Sequence, residues 1–96
     1  MFTLITTEPF KESQTQVAGN DEQLKKRLKT ALEKLAMNPS HPSLNSHKVN
    51  TRNYGVRWSS WVTGDVRIIW DYIHEDRLVI LLLDIGKHSG THKVYK

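Results

Sequence analysis

One six-residue stretch, Asp65-Val66-Arg67-Ile68-Ile69-Trp70, constrains this chain more than any other. Its apolar residues suit a strand lying inside a sheet, and Thr63-Gly64-Asp65 before it reads as a tight turn. A guanidinium stays charged, so within a sheet it needs an anion, a carboxylate partner or an open cleft. Either Arg67 lines a cleft and is kept for a phosphate, or it forms a structural ion pair with Asp65, Asp71 or Asp84. The residues by themselves leave both readings open.

The 96 residues are enough for one domain, spanning 1–96, with a single modest core. A hydrophobic fraction of 38% and long periodic segments argue for a folded globule. There is no cysteine, which excludes disulfides, thiolate metal sites and cysteine nucleophiles. The opening residues lack the basic segment and apolar run of a signal peptide, and no stretch has the length of a membrane span. A cytoplasmic location with no membrane partner is the expectation. The formal charge of +4 favours a polyanionic partner. Between His41 and Trp70 the cations are Lys48, Arg52, Arg57 and Arg67 against one acid, Asp65, and Lys87, Lys93 and Lys96 follow the last acid, Asp84. An ordinary solvated surface would look similar.

In chain order, residues 2–6 form a short β-prone run, read as an edge or next-to-edge strand. Glu8-Pro9 suits a helix start, and residues 10–17 read as a first helix ending near Gly19. A second helix is clearer: Leu24, Leu28, Ala31, Leu32 and Leu35 recur at helical spacing, with Asn20 as cap, Gln23 completing a capping box, and Asn38-Pro39 as the stop. The two should form an antiparallel hairpin. Its lysine face reads as solvated surface and its leucine stripe as core. Residues 39–53 read as a long polar connection, a place where function often sits. Three strands follow, over 56–63, 66–73 and 78–83, the last expected at the centre of the sheet. The expected fold class is α+β: an N-terminal strand and an antiparallel helix hairpin packed on an antiparallel sheet completed by a three-stranded meander. The helices should cover one face; the other would carry part of the hairpin and could be concave.

No metal pattern convinces. His88 and His92 stand four apart but lack a helix and further ligands, so no metal and no cofactor are expected. No serine nucleophile elbow, P-loop or dinucleotide fingerprint is present, and Ser59-Ser60 reads as structural. What remains is a set of Arg, Lys, His and Tyr that suits metal-free RNA cleavage. There the ribose 2′-hydroxyl attacks phosphorus, a base takes its proton, an acid protonates the leaving oxygen, and a fixed cation holds the phosphoryl charge. His47, Lys48, Arg67, His88 and Tyr95 are the available groups. Each also has a plain reading: loop residues for His47 and Lys48, a sheet-end residue for His88, a frayed or packed end for Tyr95. His41 and His74 read as surface. Trp58 and Trp70 read as core, whereas alternation could turn Trp61 to the open face, where a ring could stack a base.

The order and spacing of short motifs resemble a known family. They are Leu35-Ala36-Met37-Asn38-Pro39, His47-Lys48-Val49, Gly55, Gly64 through Trp70, and Asp84-Ile85-Gly86-Lys87-His88 with a terminal tyrosine. The pattern is similar to the RelE/ParE superfamily of bacterial toxins, especially the RelE and YafQ mRNA-cleaving branch, over nearly the whole chain. The resemblance implies a metal-independent endoribonuclease acting on mRNA, usually in the ribosomal A site, and a cognate antitoxin that inhibits it, with no small-molecule cofactor. Matched by position, Arg67 would hold the phosphate, and His47, His88 and Tyr95 would share the proton transfers. Asp65 matches an acidic position of the YafQ type. Here Ser89 to Val94 separate the histidine from the aromatic, and His92 sits nearer than Tyr95. An acid at Asp84, where some relatives carry a base, would shift a phosphate contact to Lys87 or Lys93, with Lys48, Arg52 and Arg57 as further phosphate-binding candidates. Two other classes fit the same pattern: a ParE-like inhibitor of DNA gyrase, and a non-catalytic module that only binds antitoxin.

Overall fold

A computed structural model describes residues 1–88 and 93–96. The order of elements is β1 (Thr3–Thr6), α1 (Glu8–Ala18), α2 (Glu22–Met37), a 3-10 turn (Pro42–Leu44), β2 (His47–Thr51), β3 (Gly55–Trp61), β4 (Val66–His74) and β5 (Val79–Lys87). The sheet runs β1-β5-β4-β3-β2. β2 to β5 form an antiparallel meander, and β1 joins β5 in parallel, so the sheet is mixed. The expected α+β class holds, with two helices and five strands among the described residues. Two details differ. β4, not β5, lies at the centre, and the meander has a fourth strand, β2, inside the segment expected to be a polar connection.

Local chemistry explains the boundaries. Thr7 caps α1, its Oγ1 accepting from the Phe10 N–H at 3.3 Å and donating to the Leu82 carbonyl at 2.9 Å. The cap therefore also ties the start of α1 to β5. The cap of α2 is Asp21, whose carboxylate accepts from the Leu24 N–H at 3.1 Å, and not Asn20. The shift fits chemistry, since a carboxylate also complements the helix dipole. Gly55, at φ 73, closes the β2–β3 turn in a conformation that side chains resist.

The helices cover one face. Phe10 of α1 and Leu28, Ala31 and Leu35 of α2 join Val66, Ile68, Trp70, Ile80, Leu82 and Ile85 of the sheet in one buried cluster. Trp70 is fully buried there, yet its Nε1–H donates to Ser60 Oγ at 2.8 Å. Ser60 in turn meets Ser46 Oγ at 2.7 Å, and Ser46 Oγ donates to the Pro39 carbonyl at 2.7 Å. This chain of satisfied polar groups pins the segment after α2 onto the sheet.

The opposite face carries a second cluster, Ile69, Leu83 and Val94, flanked by Val49, Tyr54, Leu81 and Tyr95. β5 carries a bulge beside it. Ile69 faces Asp84 while Trp70 faces Leu82, so Leu83 is an extra residue that shifts the alternation of β5 beyond it. Val94 comes from the chain after β5. There Lys93 bridges Lys87, Tyr95 bridges Thr51, the Arg52 N–H donates to the Val94 carbonyl at 2.8 Å, and the Lys96 N–H donates to the Asn50 carbonyl at 2.9 Å. The last residues therefore link the end of β5 to the outer edge of β2. Together with the β2–β3–β4–β5 pairings they close a ring of backbone hydrogen bonds around the second cluster.

Candidate active site

The meander brings four strand ends together. β3 ends at Trp61, β4 begins at Val66, β5 ends at Lys87 and β2 begins at His47, all at one end of the sheet. On the face away from the main helix-covered cluster, register pairs Trp61 with Arg67, Arg67 with Gly86, and His47 with Ser59. Since β-strand side chains alternate, Ser59 and Trp61 share that face.

Arg67 lies in the middle of this end and is only 4% exposed. Its Nη1 donates to the Thr63 carbonyl at 2.8 Å and its Nη2 to the Gly64 carbonyl at 2.9 Å. The guanidinium carbon sits 4.4 Å from the centre of the Trp61 ring, a cation–π distance. Among the described residues Arg67 has no carboxylate partner, and its buried Nε has no hydrogen-bond partner. The three aspartates considered for an ion pair are elsewhere: Asp71 meets Arg57, Asp84 accepts from Ser13 Oγ, and Asp65 is exposed. A buried cation without a counterion is costly, by several kcal/mol. The turn carbonyls and the indole offset part of that cost, each hydrogen bond to a charged group contributing about 1.5–3 kcal/mol. The arrangement fixes the guanidinium and leaves its buried Nε–H without a partner among the described residues.

Next to it, the His88 N–H donates to the Asp65 carbonyl at 2.8 Å, which ties the end of β5 to the turn that cradles Arg67. The His88 ring is exposed and meets the Tyr95 ring edge-on, centres 5.1 Å apart. The Tyr95 hydroxyl lies 2.6 Å from the hydroxyl of fully buried Ser59. His88 and Tyr95, far apart in the pattern that suggested them, are thus in contact. His47 is exposed at the start of β2, its Nδ1 2.7 Å from the Asn45 carbonyl, so Nε2 is the ring nitrogen left outward.

The remaining candidates divide. Asp65 is exposed in the turn, its backbone engaged and its carboxylate outward. Arg57 is committed: Nη1 pairs with Asp71 at 2.8 Å and Nε donates to the Tyr54 carbonyl at 3.0 Å. Lys48 belongs to the other face, with Nζ 5.7 Å from the Trp58 ring centre. Lys87 stands opposite Val66 of the helix-side cluster. Arg52 is exposed in the β2–β3 turn, and Lys93 lies beside Asp84 and Ser13. His92 lies outside the described residues, and among those described no cluster of three metal-ligating side chains occurs. Ser59, read from the sequence as structural, holds the Tyr95 hydroxyl at the site end. Its spacing of two from Trp61 was the available sign that it shares Trp61's face.

No family model matches the chain, and no curated protein sequence matches it. Solved structures are similar to it throughout. A metal-bound toxin from Helicobacter pylori superposes with a TM-score of 0.68 at 20% identity, covering 92% of this chain and 96% of that one. YafQ from E. coli strain BL21(DE3) gives 0.56 at 16% identity, covering 91% and 93%. The toxin–antitoxin complex RelBE2 from Mycobacterium tuberculosis gives 0.54 at 12% identity, covering 90% and 96%. The chain therefore has the RelE/YafQ-like toxin fold.

Proposed function

We propose that this chain is the toxin of a toxin–antitoxin pair and acts in the cytoplasm as an endoribonuclease on mRNA, in the ribosomal A site, until a cognate antitoxin binds it. The likeness to toxin structures supports the toxin role, and the toxin–antitoxin complex among them supports the partner. One observation carries the chemistry: a buried guanidinium against Trp61, without a carboxylate partner among the described residues, at the same end of the sheet as an exposed His88 and a Tyr95 held by Ser59. Arg67 grips the phosphate bearing the bond to be cut and stabilises the charge that builds on its oxygens. His47 and His88 supply the imidazoles that serve as base and acid, and Tyr95 is a further donor. The 2′-oxygen bonds to phosphorus as its proton passes to the base. The bond to the 5′ oxygen breaks as the acid protonates that oxygen. The products are a 2′,3′-cyclic phosphate and a free 5′-hydroxyl, and no metal is needed for any step.

The test is primer extension on an mRNA under translation in vitro, with a ribosome-free lane. The wild-type chain should produce new cuts, and Arg67→Ala should reduce them about 100-fold or more, the loss typical of removing one oxyanion donor. Arg67→Lys, which keeps charge but not the fork, should also be strongly impaired. Thermal melts confirm that each variant is folded. Full activity in folded Arg67→Ala would refute its role. No cutting by the folded wild type, with loss of gyrase supercoiling in its presence, would move the function to gyrase inhibition.

A further inference from the structure

Resting on the RNA-cleavage reading, we propose that the groove between α2 and the end of β3 binds the sugar–phosphate backbone of the same single strand, next to the phosphate held at Arg67. The groove has a volume of about 260 Å³ and is lined by Lys26, Arg27, Lys34, Ser43 and Trp61 among others, with no acidic residue. Lys26, Arg27, Thr30 and Lys34 fall on one helical face by their spacing. None of the three cations has a carboxylate partner among the described residues, whereas neighbouring Lys25 is engaged with Glu22. Lys34 is held in place, its Nζ donating to Ser43 Oγ at 3.0 Å. Of the acids of α2, Glu22 faces Lys25, and Glu33 lines adjoining cavities, one of them shared with Thr30 and Lys34, but not the groove itself.

Trp61 connects the two places. Its ring packs against the Arg67 guanidinium, and the same residue lines the groove while remaining 37% exposed. The groove lies on the helix side of the sheet and Arg67 on the other, so a polyanion held at Arg67 would reach the three uncompensated cations by crossing the end of the sheet at Trp61. A basic track beside an exposed aromatic suits an unpaired strand, whose bases can stack while its phosphates follow the charge. Neighbouring nucleotides would then add binding without taking part in the reaction.

The probe is a 5′-fluorescein oligouridylate heptamer with 2′-O-methyl riboses, in which the attacking hydroxyl is blocked, so binding is read apart from cutting. Anisotropy titrations at several salt concentrations compare wild type with the triple variant Lys26→Gln, Arg27→Gln and Lys34→Gln. Each lost contact removes about 0.7 from the slope of log affinity against log salt, so the triple variant should lose about 2. Wild type should gain at least tenfold in affinity from trimer to heptamer, and the triple variant should lose that gain. An unchanged slope and length dependence in the triple variant would overturn the groove proposal, leave the nuclease reading standing, and turn attention to an acidic polypeptide. A wild-type chain that neither binds the heptamer nor cuts mRNA would overturn both.

Discussion

Tyr95 shows how much a single hydrogen bond can decide. Its hydroxyl meets Ser59 and its ring meets His88, so one side chain is fixed at both ends. Removing the hydroxyl in Tyr95→Phe leaves a buried serine without its partner, which costs about 1–3 kcal/mol. If Tyr95 also donates a proton, cleavage should fall by about 100-fold or more. Ser59→Ala keeps the phenol but frees it to turn, so the expected loss is smaller, about tenfold, with kcat reduced more than KM raised. Single-turnover rates and thermal melts on the two variants check this. Equal stability losses with unchanged rates would make the pair structural. Arg67 illustrates what residue types alone do not disclose. Its charge marked it in the sequence, but its partners are the carbonyls of Thr63 and Gly64 and the face of Trp61. Backbone carbonyls carry no sequence signature, so these partners were not among the ion pairs with Asp65, Asp71 or Asp84 that residue types suggested.

Among the elements, α2 was legible because five apolar residues repeat at its period, and the turn before β4 because of Gly64. β2 was not. His-Lys-Val-Asn-Thr has one apolar residue in five, and pairing with β3 on one side and the last residues on the other makes it a strand. Tertiary pairing overrode local composition there. The cap of α2 moved by one residue, from Asn20 to Asp21, and this is open to measurement. Asp21→Ala should lower stability by about 1 kcal/mol, and Asn20→Ala should leave it nearly unchanged. Urea denaturation of the two variants gives the comparison. A loss confined to Asn20→Ala would restore the earlier boundary. The bulge at Leu83 was equally hidden, although it puts Gly86 opposite Arg67 and so sets what lies across from the guanidinium.

For the molecule as a whole, two tyrosines outside the site make stability depend on alkaline pH. Burial, more than any neighbour, raises the Tyr54 phenol above its usual value, with Asp84 and Glu12 adding to it. Burial also raises Tyr72, with Glu75 and Asp71 assisting. A raised acid binds its proton more tightly when folded. The stability linked to both is therefore intact below the unfolded value of 10.0 and lost as pH climbs through the higher folded values. Melting temperatures should fall above pH 10, and less steeply for Tyr54→Phe with Tyr72→Phe. An identical slope in that double variant would reject the assignment. The mixed sheet also has a temporal side. The helices and the β2–β5 meander join segments close in the chain, but the parallel pairing of Thr3 with Val79 must wait for its two ends to meet. Closing so long a loop is entropically slow compared with forming hairpins. Until β1 docks, the first half of β5 is a bare, apolar strand edge, and such an edge can recruit a second chain. A chain with β1 undocked would thus expose one half of β5 to a second chain while its site end is already paired.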